Sequence, residues 1–189
     1  MNTQQHAILY IDDDRVSRDL IGDFLRENGY SVLLAENGEE GLDLFARHAP
    51  DLVLLDLRMP HMDGFEVLEH IRSKDDELPV LVISGVGNME DVIRAIRAGA
   101  TNYVVKSLEN LDILQEATNI AIGQLELLRE KRRSQHKLAE ALEENRFYLT
   151  QLEAVFDSLP DGIMTVDAQG RLFKLSHSVR SICPLGMDL

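Results

Sequence analysis

The sequence predicts an α/β fold, a doubly wound parallel sheet of five strands, with one long helix after it. Three observations carry this prediction. Up to Lys106, short apolar runs alternate with segments whose apolar residues recur at helical spacing. Leu52 to Leu55 is apolar without a break, as in a strand covered on both faces of a parallel sheet. No proline occurs between Pro79 and Pro160, and the pattern stays helical from Leu108 almost to Phe156. Five β-α units joined by a few residues each require right-handed crossovers, which place helices on both faces of the sheet.

Taken in order, Ala7 to Ile11 is a short apolar strand that ends in Asp12, Asp13 and Asp14. Val16, Leu20 and Phe24 then step at helical spacing, and Gly29 is placed to close that helix. Asp14 reads as a helix cap rather than a ligand. Tyr30 to Ala35 is the second strand, followed by Asn37-Gly38 and a helix carrying Leu42, Phe45 and Ala46. The third strand stops at Asp56, a residue costly to bury, so the chain there leaves the sheet and meets water. Arg58, Met59 and Pro60 form a loop, Asp63-Gly64 makes a turn, and Phe65, Leu68 and Ile71 give the next helix its apolar side. Val80 to Ile83, closed by Ser84-Gly85, is the fourth strand. Val92, Ile93 and Ile96 mark a helix that Gly99 ends, and Asn102 to Val105, closed by Lys106, is the fifth strand.

Composition narrows the function. The 189 residues hold 33 Asp and Glu against 19 Lys and Arg, a formal net charge of -14. Such a balance argues against a broad basic surface, so no direct nucleic-acid partner and no membrane partner are expected. A single cysteine, Cys183, allows no intramolecular disulfide, and no Cys/His cluster has zinc spacing. Met1 to His6 is polar, and no apolar run approaches the roughly 18 residues of a membrane span. A cytoplasmic protein is expected.

In a doubly wound sheet, ligands bind outside the carboxyl ends of the strands. Asp12 and Asp13 end the first strand, Asp56 the third, Ser84 the fourth and Lys106 the fifth, so all five fall on that one edge. Three carboxylates close together repel one another and call for a hard divalent cation with oxygen ligands, for which Mg²⁺ fits best. The Lys106 ammonium offsets remaining charge, and the Ser84 hydroxyl adds a hydrogen bond. A metal, a cation, a hydroxyl and a free carboxylate oxygen suit phosphoryl transfer onto a carboxylate, which is mostly positioning and charge neutralisation.

The segments Ile-Asp-Asp-Asp, Leu-Leu-Asp-Leu-Arg-Met-Pro, Val-Ile-Ser-Gly and Ala-Gly-Ala-Thr-Asn-Tyr-Val-Val-Lys resemble the receiver domain of two-component response regulators. The resemblance implies a flavodoxin-like sheet of order 2-1-3-4-5 with Asp56 as phosphoacceptor. It makes Asp12 and Asp13 the acid pair, with Asp13 the direct Mg²⁺ ligand and the Arg58 backbone carbonyl a further ligand beside Asp56. Ser84 is then the switch hydroxyl, Tyr103 the switch aromatic and Lys106 the cation on the phosphoryl group. A sensor histidine kinase or phosphotransfer protein is the implied donor. The chain then catalyses only its own phosphorylation and dephosphorylation. Two readings from other classes stand beside it: an aspartyl-nucleophile phosphatase, which normally carries a second acid where Arg58 stands, and a scaffold that works without phosphorylation. Receivers usually have proline after the lysine, in a cis bond, and here the residue is Ser107. A non-proline cis bond costs about 2.5–4 kcal/mol, which leaves a trans bond with a shifted loop or a strained cis bond. His61 and Met62 read as solvent-facing loop residues rather than metal ligands.

Beyond the receiver-like part, Leu138, Leu142, Asn145, Leu149, Leu152 and Phe156 step by four and three, a heptad seam with one polar position. Ala121, Leu125 and Leu128 fit a seam upstream. Between them Arg129 to Lys137 holds five Lys or Arg, one Glu and no apolar residue, so the seam is interrupted or changes register there. A parallel homodimeric coiled coil is expected, with folding back onto the same chain as the alternative. Phe156-Asp157-Ser158-Leu159-Pro160-Asp161-Gly162-Ile163, with Asp167 and Gly170-Arg171, resembles the start of PAS sensor domains, although Ser176 stands where those usually place asparagine. Ile163 to Val166 and Arg171 to Phe173 suggest a hairpin. The expected domains are a receiver over 1–122, a signalling helix over 123–156 and a partial PAS-like segment over 157–189.

Overall fold

The structure, a computed structural model, describes residues 5–85, 88–106, 111–158 and 164–175. Strands β1 (Ala7–Ile11), β2 (Ser31–Ala35), β3 (Leu52–Asp56), β4 (Val80–Ser84) and β5 (Asn102–Val105) form one parallel sheet in the order β2-β1-β3-β4-β5. Helices α1 (Arg15–Glu27), α2 (Gly38–His48), α3 (Gly64–Lys74) and α4 (Met89–Arg97) connect them, and α5 (Leu111–Ser158) follows β5. The expected flavodoxin-like architecture and long last helix are therefore present.

Strand periodicity divides the core into two layers. Along β3, Val53 and Leu55 point to the side covered by Phe65, Leu68 and Ile71 of α3 and Ala95 of α4. Leu52 and Leu54 point to the other side, under Ile21 and Leu25 of α1 and Leu114, Ala117 and Ala121 of α5. Every residue of β3 and β4 is buried, which is why both read as unbroken apolar runs up to their polar ends. Each fully buried leucine or isoleucine contributes about 2 kcal/mol relative to exposure.

Two helices turn a different face inward from the one their spacing suggested. In α1 the buried residues are Ile21, Gly22 and Leu25, while Val16 and Leu20 are exposed and Phe24 is only partly buried. Arg18 lies on the inward stripe with Ile21, Gly22 and Leu25, and its bonds back to the preceding loop fix the rotation of the helix. In α4 the inward stripe is Asp91, Val92, Ala95 and Ala98, and Ile93 and Ile96 stand about half exposed. Asp91 receives a hydrogen bond from Arg58 at 2.9 Å and Arg94 stacks on Phe65 at 3.7 Å, so polar contacts rather than the isoleucines orient this helix. In α2, Ala46 is exposed and Leu44 packs on the core in its stead.

The chain divides into two units, Met1–Glu130 and Lys131–Leu189. In the second, β6 (Met164–Val166) and β7 (Leu172–Leu175) pair antiparallel as the expected hairpin, with Gly170 at φ +79° in its turn. Ser107, the Leu159 to Ile163 part of the PAS-like motif, Ser176 and Cys183 lie outside the described residues. Among the described residues no helix is long and apolar enough to cross a membrane.

Candidate functional site

The ends of four strands bring the site residues to one edge of the sheet, as the order of the elements requires. Asp12 follows β1 and is fully buried; Asp56 is the last residue of β3 and is 6% exposed; Ser84 is the buried last residue of β4; Lys106 follows β5. Two main-chain bonds hold the outer parts of this edge in register. The Lys106 N–H donates to the Ser84 carbonyl at 2.8 Å, and the Asp12 N–H donates to the Ala35 carbonyl at 3.1 Å.

Lys106 is the hub. Its Nζ lies 2.7 Å from Asp12 Oδ2 and 2.7 Å from Asp56 Oδ2. Burial alone lowers the pKa of an ammonium, but the hydrogen bonds and charges of Asp12 and Asp56 outweigh it and hold Lys106 above its ordinary value. Asp56 too lies above the ordinary carboxylate value. Burial raises its pKa, the Lys106 contact opposes, and the nearby Asp12 charge raises it again, so the net direction is up. The site thus holds an acid that is strained as an anion beside a cation that is secure in its charge.

Asp12 is fixed from three directions. The Tyr10 hydroxyl donates to Oδ2, Lys106 shares that oxygen, and the Asp14 N–H donates to Oδ1 at 3.0 Å. Tyr10 is buried in the core, and burial together with the Asp12 charge raises its phenol pKa far above the ordinary value, so it remains a donor. Asp14 is the α1 cap, accepting from the Ser17 hydroxyl and from the N–H groups of Val16 and Ser17. It is not part of the acid cluster. Asp13 is exposed, and one oxygen from each of Asp12, Asp13 and Asp56 lies within 4.8 Å of the others. Three hard carboxylate donors at that spacing fit Mg²⁺ better than a thiophilic or imidazole-seeking metal.

The loop after β3 is shaped for this purpose. The Arg58 N–H donates to Asp56 Oδ1 at 3.3 Å, which turns the strand end into a short niche. Gly64, the first residue of α3, packs so closely under it that an added Cβ would stand 2.2 Å from the Asp56 carbonyl oxygen. His61 is exposed and adopts a left-handed φ of 70°, whereas Met62 is half-buried and packs on the core rather than facing solvent. Tyr103 is half-buried beside β4, in register with Val82.

Two side chains in the site carried no signal in the sequence motifs. Tyr10 sits inside what reads as a plain apolar strand. Arg18 reads as one of several surface arginines, yet its guanidinium grips the Asp12 and Asp13 carbonyls. Only an argument from strand alternation, which sends Tyr10 to the α1 face beside Asp12, points to the first, and nothing in the spacing points to the second.

The family model for the response regulator receiver domain matches residues 8–118. Among curated proteins, the chain is 44% identical over 106 residues to the response regulator MprA of Mycobacterium sp. (strain KMS), covering 55% of this chain and 46% of that protein. It is 38% identical over 109 residues to the Regulator of RpoS of Escherichia coli (strain K12), covering 58% of this chain and 32% of that protein. The chain thus spans less than half the length of these relatives. Among solved structures, it is similar to the response regulator TrrA of Thermotoga maritima in complex with Mg²⁺ and BeF, with a TM-score of 0.58 and 35% identity, over 62% of this chain and 99% of that one.

Proposed function

The chain belongs to the response regulator receiver family, phosphoacceptor modules of two-component signalling, and on that footing we propose that Asp56 is its phosphoacceptor. A sensor histidine kinase or a phosphotransfer protein is the donor. The observation that carries this reading is the bridge from Lys106 to Asp12 and Asp56 beside a three-carboxylate cluster. An Asp56 oxygen attacks phosphorus; the new P–O bond forms as the P–N bond of the donor's phosphohistidine breaks, and the electron pair leaves with the imidazole nitrogen. Lys106 leaves its shared place between the two carboxylates and follows the phosphoryl oxygens.

Asp13 would hold Mg²⁺ directly, with Asp12, an Asp56 oxygen and the Arg58 backbone carbonyl completing the protein's share. When bound, the ion neutralises charge gathered on the phosphoryl group and the acid pair. The similar TrrA structure is in complex with Mg²⁺ and BeF, and here three carboxylate donors stand within 4.8 Å of one another. Ser84 and Tyr103 then report the phosphoryl group by repositioning. The change passes through α4, β5 and α5 to a parallel homodimeric helix and onward to an output module. A phosphatase reading lacks its second acid, since the residue two past Asp56 is Arg58, which pairs with Asp91 instead.

Intact-mass spectra after acetyl phosphate treatment test the assignment. Wild type with Mg²⁺ should gain one phosphoryl mass, and Asp56→Asn or wild type in chelator should gain none. Equal gain in wild type and Asp56→Asn would remove the mechanism.

A further inference from the structure

The Asp12 carboxylate is held by three donors, but among the described residues no hydrogen bond holds the Asp13 side chain. The direction in which Asp13 presents its oxygens is therefore set by its backbone. Among the described residues that backbone has one side-chain anchor. Arg18, one turn into α1, folds back so that Nη1 donates to the Asp12 carbonyl at 2.6 Å and to the Asp13 carbonyl at 3.1 Å. Its Nη2 lies 3.8 Å from the Glu36 carboxylate in the loop after β2, and the side chain is only 13% exposed. One planar guanidinium thus ties the main chain of both acids to the helix that follows and to the neighbouring loop, a geometry lysine cannot reproduce.

We propose that Arg18 is a positioning residue for divalent-cation binding, fixing the Asp12-Asp13 backbone so that Asp13 aims at the ion. The inference rests on the reading of the acid cluster as a Mg²⁺ site and goes beyond it in assigning the residue that orients the cluster. Partners that orient metal ligands from behind typically change affinity by about 10–100-fold. Electrostatics sharpens the case, because removing a cation near a Mg²⁺ site should by itself strengthen binding. A loss of affinity on removing Arg18 therefore reports lost geometry, not lost charge.

Titration of Mg²⁺ into the whole metal-free chain, followed by calorimetry, gives the affinity directly. A second readout is optical. The chain has no tryptophan and four tyrosines, and the Tyr10 hydroxyl donates to Asp12, so near-ultraviolet tyrosine absorbance should move with ion binding. Tyr10→Phe identifies the part of that signal due to Tyr10. Arg18→Ala should bind Mg²⁺ about tenfold more weakly or worse, with Arg18→Lys in between, both measured well below their metal-free melting temperatures. If Arg18→Ala does not fold, Arg18→Lys alone decides by the same comparison. Variants that melt lower yet bind Mg²⁺ as tightly as wild type make Arg18 a structural residue only and overturn the inference. Wild type that binds no Mg²⁺ by either readout overturns the reading of the site itself, and this inference with it.

Discussion

Asp51 and Asp56 stand at opposite ends of strand β3, and their surroundings push the two carboxyls in opposite directions. Asp51, just before the strand, meets burial that raises its pKa, but the Ala7 N–H at 2.9 Å and Arg129 at 2.6 Å outweigh it, with His6 helping, and the net direction is down. Asp56, at the far end, ends above the ordinary value because burial and Asp12 exceed the help from Lys106. One strand therefore carries a carboxylate that stabilises the fold as an anion and another that opposes it as an anion.

For Asp51 the folded pKa is below the unfolded one, about 3.9. Its contribution is present above that value and is lost as pH falls through the folded pKa. Asp51→Asn should lower stability at pH 7 by an amount that shrinks as pH falls below about 4. Urea midpoints of wild type and variant across that range check this. A gap that stays constant with pH would mean that the ion pair with Arg129 contributes nothing through its charge.

Asp56 has the reverse sign. With a raised folded pKa, its favourable state is the protonated one, so stability is full below the unfolded pKa and falls as pH rises through the folded pKa. Asp56→Asn should melt higher than wild type at pH 7 in chelator, with the difference closing as pH falls to about 4. Saturating Mg²⁺ should also narrow it by stabilising wild type more than the variant, which loses one of the carboxylate donors. A variant that melts lower at pH 7 would show that losing the Lys106 contact outweighs the relief of burying the charge.

Gly64 should tolerate no side chain. A Cβ there meets the Asp56 carbonyl oxygen at 2.2 Å and the Leu57 Cα at 2.7 Å, both rigid backbone at the base of the site. Gly64→Ala is expected to cost about 1–3 kcal/mol and to impair phosphorylation of Asp56 as the strand end shifts. Gly85→Ala, where no atom lies within 4 Å of the added Cβ, is the control and should leave the free energy of unfolding within about 0.5 kcal/mol of wild type. Equal midpoints for the two variants would contradict this account of the loop.

These cases also show what could be read from the residues. The strands and their shared edge were legible because buried parallel strands leave unbroken apolar runs ending in chemistry-bearing residues, as at Asp56, Ser84 and Lys106, while the strand order came from the family resemblance. Helix orientation was not. Val16 and Leu20 in α1, and Ile93 and Ile96 in α4, made good apolar stripes that the fold leaves exposed. Arginines decided the rotation, through Arg18 on the loop carbonyls, Arg58 on Asp91 and Arg94 on Phe65. Arg72 does the same within its layer, donating to the carbonyls of Gly99 at 2.8 Å, Leu78 at 2.7 Å and Asp75 at 3.1 Å. A long flexible side chain has no fixed spacing to its partner in sequence, so such contacts leave no periodic trace.

The last prediction concerns assembly through α5. Leu138, Leu142, Leu149 and Leu152 are each more than half exposed, an apolar stripe on one face of the helix. Carried back from Leu142 and Leu138 in the same phase, the seam reaches Gln135 and Lys131, so the basic run interrupts it. Asn145 pairs with its own copy only when the two chains run parallel and in register, which favours a parallel homodimer. In that arrangement Lys131 meets Lys131, so the dimer should be firm near Leu149 and loose near the basic run, where a change in the receiver state has least to overcome. Sedimentation of wild type at several micromolar concentrations should show a dimer, and a Leu142→Glu, Leu149→Glu double variant should sediment as a monomer. Raising the salt should tighten the wild-type dimer by screening the Lys131 pair. Wild type and variant sedimenting alike as monomers would leave the stripe to the alternative in which the helix folds back on its own chain.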